Sequence, residues 1–87
     1  MEIKVLKKEK NEIELEIGNL TIAEILRVYL NKDSTVTFVA WKREHITKNP
    51  ILKVKTASKD VKSVIDKTVK NMISDVEKLE TDFKKLK

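Results

Sequence analysis

Ile13, Leu15 and Ile17 alternate with Glu12, Glu14 and Glu16, the period-two pattern of a half-buried strand. Residues 3–7, with Ile3, Val5 and Leu6, are also strand-like, and the charged turn Lys8 to Asn11 makes the pair a hairpin. A helix follows. Thr21 and Glu24 have capping-box spacing, Leu20 and Ile25 can staple it, and Ile22, Ile25, Leu26, Tyr29 and Leu30 recur on one face. It is expected to end near Asn31–Asp33. Residues 35–42 (Val36, Phe38, Val39, Ala40, Trp41) predict a third strand, 43–50 a polar loop ending at Pro50, and 51–56 (Ile51, Leu52, Val54) a fourth. Ser58 predicts an N-cap with Asp60 in the first turn of a last helix. The order is ββαββα: an α+β fold, a four-stranded sheet with one short helix and one long C-terminal helix.

The last helix carries the most information. No Pro or Gly interrupts residues 59–87, which predicts a rod of roughly 40–45 Å. The 57 residues before it make a body only about 25–30 Å across, so the end of the helix is expected to project. Its first half bears a broad apolar stripe: Val61, Val64, Ile65, Val69, Met72 and Ile73. From Ile65 a narrower seam runs through Val69, Met72, Val76, Leu79, Phe83 and Leu86 in steps of 4, 3, 4, 3, 4 and 3, a heptad seam with Val at two a positions. The alternative is that this seam is intramolecular core, but its last two turns have no domain left to pack on. The flanking e and g positions are Asp66, Thr68, Ile73, Asp75, Glu80, Asp82 and Lys87, four of them acidic. Pairing with an identical helix would bring acid towards acid in either orientation, so a hetero-partner is expected and a stable homodimer disfavoured.

Composition narrows the classes. Eighty-seven residues make a single domain, too short to bury a large core. Without cysteine there is no disulfide framework and no thiolate zinc site. No apolar run spans a membrane, and Met1-Glu2-Ile3-Lys4 does not read as a signal peptide, so a cytoplasmic location is expected. The net charge of +5 is spread along the chain, +3 in residues 1–57 and +2 in 58–87, with acids interleaved; only Lys7, Lys8, Lys10 and Lys84, Lys85, Lys87 are dense. His45 is the only histidine and Gly18 the only glycine, which leaves no nucleophile–base pair, metal set or phosphate cradle, and no catalytic residue or cofactor is expected. Glu12, Glu14 and Glu16 read as a solvated strand face. Trp41 beside Lys42 and Arg43 keeps open a second function, a small stand-alone nucleic-acid-binding module; Phe38 and Tyr29 read more simply as core.

Residues 20–46 carry a resemblance. Leu20-Thr21-Ile22-Ala23-Glu24-Ile25-Leu26-Arg27-Val28-Tyr29-Leu30, then Val36-Thr37-Phe38-Val39-Ala40-Trp41 and His45, together with the opening Met1-Glu2-Ile3-Lys4-Val5, resemble the archaeal RNA polymerase subunit L family. That family is homologous to the eleventh subunit of eukaryotic RNA polymerase II and to part of bacterial α. Leu20, Glu24, Glu44 and Ile46 depart from the family pattern. The resemblance covers nearly the whole chain and implies one L-type dimerisation domain over residues 1–87, with sheet and first helix in 1–57 and the long helix in 58–87. It implies a non-catalytic assembly subunit of DNA-directed RNA polymerase, a nucleotidyltransferase complex. Such a subunit forms a heterodimer with the polymerase's D-type subunit. The pair is the platform for the small N and P subunits and the large catalytic subunits, and meets DNA only through the complex. The resemblance also implies that the partner is met by Thr21, Ile22, Ile25, Leu26 and Tyr29 of the first helix and by Met72, Val76, Leu79 and Phe83 of the last; the seam adds Ile65, Val69 and Leu86.

Overall fold

A computed structural model describes residues 2–86; Met1 and Lys87, the latter a flank of the seam, lie outside the described residues. The elements are β1 (Ile3–Lys8), β2 (Glu12–Ile17), α1 (Leu20–Asn31), β3 (Val36–Lys42), β4 (Ile51–Thr56) and α2 (Val61–Lys84). The strands form one antiparallel sheet in the order β1-β2-β4-β3. Both helices lie on the same face of it.

The core follows from the strand alternation. Ile13, Leu15 and Ile17 of β2 and Leu52, Val54 and Thr56 of β4 point at the helices and are buried. Ala23, Leu26 and Leu30 of α1 and Val61, Val64 and Thr68 of α2 close over them. The two buried threonines are satisfied locally. Thr68 Oγ1 donates to the carbonyl of Val64 at 2.9 Å, and Thr56 Oγ1 to that of Lys59 at 2.6 Å.

Several expectations need correction. The cap of α1 is Asn19, whose side chain accepts from the Ile22 N–H at 3.1 Å; Thr21 and Glu24 lie inside the helix and form no capping box. The core face of α1 runs through Ala23, while Ile25 is exposed. The long helix begins at Val61, and Asp60, not Ser58, stands at its cap position. Asn11 Nδ2 and Thr56 Oγ1 both donate to the Lys59 carbonyl and hold the approach as a turn. The 24-residue helix is therefore about 36 Å long, shorter than expected. Its sheet-facing residues are Val61, Val64 and Thr68; Val69 and Ile73, expected in the broad stripe, are exposed.

Phe38 is not core either. The β3–β4 register shifts between Val36 and Phe38, so Phe38 stands opposite Lys55 on the face without helices, with the Lys55 ammonium 5.9 Å from its ring. Val36, Val39 and Trp41 take the core-side places and pack against the buried cluster.

Candidate docking surface

The helical layer covers β2, β4 and β3 but leaves an opening beside α2. There, Ile3, Ile13, Leu15 and Ile17 of the sheet, Ile22 and Leu26 of α1, and Ile65, Val69 and Met72 of α2 line an apolar hollow of about 310 Å³. Lys62 is its only charged lining residue. Burial of such surface is worth about 25 cal/mol per Å², so a hollow lined this way favours an apolar occupant over water.

The hollow continues into a ridge. Ile65, Val69 and Met72 form its α2 wall, and the same heptad positions carry on through Val76, Leu79, Phe83 and Leu86, which are 62%, 56%, 61% and 79% exposed. Every residue from Ile73 to Leu86 is exposed: the last three turns of α2 overhang the body. A row of bare Val, Leu and Phe at a/d spacing on a helix makes this ridge a candidate surface for helix–helix pairing.

One flank of the seam is already occupied. Of the g positions, Thr68 is buried against the sheet, and the Asp75 carboxylate accepts the Tyr29 hydroxyl at 2.7 Å. That bond joins α1 to α2 at the point where the overhang begins. The acids left beside the seam are Asp66, Glu80 and Asp82, and Glu80 is spanned by Lys84 at 3.3 Å along its own helix.

The residues singled out in the sequence thus fall into groups. Ile22, Ile65, Val69 and Met72 line the hollow, and Val76, Leu79, Phe83 and Leu86 form the ridge. Leu26 is buried in the floor. Tyr29 is half-buried and bound to Asp75; Thr21 and Ile25 are exposed on α1 outside the hollow lining. Ile3 and Val5 were not among them. Their alternation marks a strand face, but nothing local says that this strand lies beyond the reach of the helices.

The Tyr29–Asp75 bond is testable by titration. It holds the Tyr29 phenol above its ordinary value of 10.0, with partial desolvation and the Asp75 charge acting in the same direction. A raised value favours the protonated folded state. The contact is complete below about pH 10 and is lost as pH rises through the raised value. Tyr29 is the only tyrosine, so phenolate absorbance reports it alone. Asp75→Asn is expected to move the midpoint down towards 10; an unchanged midpoint would mean that the bond is not kept in solution.

The aromatics do not make a stacking platform. Trp41 faces the core, Phe38 the opposite face, and Tyr29 sits on α1. On the open face Lys7, Lys53 and Lys55 gather around one carboxylate. Glu12 accepts from Lys7 at 2.7 Å and lies 3.6 Å from Lys55 and 4.0 Å from Lys53. Hydrogen bonding to Lys7 holds the Glu12 carboxyl below its usual range, and the same bond holds Lys7 above its own. His45 is exposed and bonds to Thr47 in its own loop. Among the described residues, no cluster of three His, Cys, Asp or Glu is placed to hold a metal ion, and no helix is long and apolar enough to cross a membrane.

Comparison with known proteins points to a dimerisation domain. Residues 10–82 match the family model of the RNA polymerase Rpb3/Rpb11 dimerisation domain. Among solved structures, the fold is similar to DNA-directed RNA polymerase subunit L from Thermoplasma acidophilum, with a TM-score of 0.85 and 29% sequence identity over 97% of this chain and 86% of that one. No curated protein sequence matches the chain.

Proposed function

The chain belongs to the RNA polymerase Rpb3/Rpb11 dimerisation-domain family, that of archaeal subunit L, and from that membership we propose that it is the L-type assembly subunit of an archaeal RNA polymerase. In this reading it supplies no catalytic residue. It pairs with the D-type subunit, and the pair is the cytoplasmic platform on which the N, P and large catalytic subunits gather. The observation that supports it best is the continuity of hollow and ridge: one apolar surface, begun in the body and carried past it by α2, left uncovered among the described residues.

Mechanistically, assembly is burial. The partner's apolar groups enter the hollow and cover the ridge, while Asp66, Glu80 and Asp82 beside the seam favour basic neighbours over a second copy of α2. Affinity then comes mainly from apolar area, so the pair is expected to survive high salt, whereas the charges govern which partner is accepted.

A pull-down with tagged chain from its native cell, washed at high salt, tests the reading. Recovery of a D-type subunit together with the large polymerase subunits is the expected result. Recovery of RNA or unrelated proteins, without polymerase subunits, would reduce the likeness to one of fold.

A further inference from the structure

The open face of the sheet, on the far side from hollow and ridge, divides into two unlike halves. Towards β1, acid and base face each other: Glu16 stands opposite Lys4 and Glu14 opposite Lys7. Towards β3 there is no acid. That half carries Ile51, Lys53 and Lys55 of β4 beside Lys42, Ala40 and Phe38 of β3, in register. Glu12 is the carboxylate that Lys53 and Lys55 share, at 4.0 and 3.6 Å, and it also accepts from Lys7. One negative charge thus serves three ammonium groups. Lys42 adds a further positive charge and has no ion pair among the described residues.

The basic half is also partly apolar. Phe38 is 46% exposed, and Ala40 and Ile51 beside it are half-buried. With Trp41 they line a cleft of about 150 Å³, whose charged lining residues are Glu14, Lys42 and Lys53. That is the liquid volume of roughly five waters, room for one aliphatic side chain and not for a helix. The Lys55 ammonium lies 5.9 Å from the centre of the Phe38 ring, over a face that a stacked base would need. An apolar notch ringed by uncompensated lysines is complementary to an apolar group flanked by carboxylates.

We propose that the β3–β4 half of the open face is a second docking surface, fitted to an acidic segment of another protein that sets one aliphatic side chain in the Phe38–Ala40–Ile51 cleft and its carboxylates beside Lys42, Lys53 and Lys55. The surface lies across the sheet from the hollow, so it is independent of the assembly-subunit reading and stays open when that face is occupied. Affinity comes chiefly from the buried anchor, because exposed ion pairs contribute little each; the lysines select the acidic partner and make binding sensitive to salt.

Trp41 is the only tryptophan and lines the cleft, so its fluorescence reports occupancy in the full chain. The probes are synthetic seven-residue peptides with three acidic residues on each side of a central leucine. Controls carry glycine at the centre, or lysines in place of the acids. The acidic leucine peptide is expected to bind saturably, one per chain, at least about tenfold more tightly than the glycine peptide, and to weaken as salt is added. The lysine peptide is expected not to bind. Lys42→Glu and Phe38→Ser, both at exposed positions, are expected to leave the melting curve unchanged and each to weaken binding roughly tenfold. The comparison among peptides uses the unsubstituted chain, so it decides the matter even if a variant fails to fold. No binding of the acidic leucine peptide at millimolar concentration overturns the proposal. Equal binding of the leucine and glycine peptides overturns the anchor cleft. Equally tight binding of an oligothymidylate of the same charge shows a surface that attracts any polyanion, and overturns the protein partner.

Discussion

Replacing Leu79 and Phe83 together by aspartate is expected to abolish partner binding and leave the isolated fold unchanged. Both residues lie on the overhang, 56% and 61% exposed, beyond the Tyr29–Asp75 bond that joins α1 to α2. In the isolated chain the change trades exposed apolar surface for exposed carboxylates, which costs the fold almost nothing. In the complex each side chain would otherwise be buried, at roughly 1.5–3 kcal/mol apiece. The combined loss of about 3–6 kcal/mol is two to four decades in Kd, before the cost of burying two charges is counted. Circular dichroism and calorimetric titration check the two halves. Unfolding of the isolated double variant would mean that the ridge is core and that α2 is no docking helix.

Leu52→Ala is expected to do the reverse. Leu52 is fully buried in β4, between Leu15 and Trp41 on the neighbouring strands. Truncation leaves a cavity beneath both helices and costs about 2–5 kcal/mol. At roughly 0.05–0.15 kcal/mol per residue a domain of this size has only about 4–13 kcal/mol in all, so the variant is expected to be markedly destabilised and partly unfolded alone. Because a partner that binds only the folded state stabilises by mass action, co-expression with it is expected to restore the native far-ultraviolet spectrum. Denaturant melts with and without the partner measure both effects. A melt unchanged by Leu52→Ala would place the core elsewhere.

The two substitutions divide the molecule as its sequence does in part. Period-two alternation in Glu12–Ile17 and the Pro50–Ile51 boundary located β2 and β4, because each strand has one wet and one dry face. The heptad steps located the ridge, because helical spacing alone fixes which residues share that line. Other features depend on contacts between distant residues. Phe38 turns to the open face through a register shift that its neighbours in sequence do not announce. Thr68 counted as a polar flank, yet its hydroxyl is satisfied by the Val64 carbonyl and it packs as core. Asn19 caps α1 ahead of the more recognisable Thr21–Glu24 pair, because its side chain reaches the Ile22 N–H. Ile3 and Val5 read as ordinary strand residues; that they are bare follows only from the strand order, which puts β1 at the edge.

Membership of a dimerisation family explains why a small domain keeps so much apolar surface uncovered. Two of the seven seam flanks, Thr68 and Asp75, are engaged with the chain's own body, while Val76, Leu79, Phe83 and Leu86 of the ridge are all more than half exposed. These features are coherent if the folded unit that matters is the pair.

Sedimentation equilibrium of the full chain alone, and of an equimolar mixture with the D-type subunit, tests that claim most directly. A monomer or weakly self-associating species is expected alone, and a 1:1 heterodimer in the mixture, retained at high salt. A tight symmetric homodimer held through α2, indifferent to the added subunit, would contradict it.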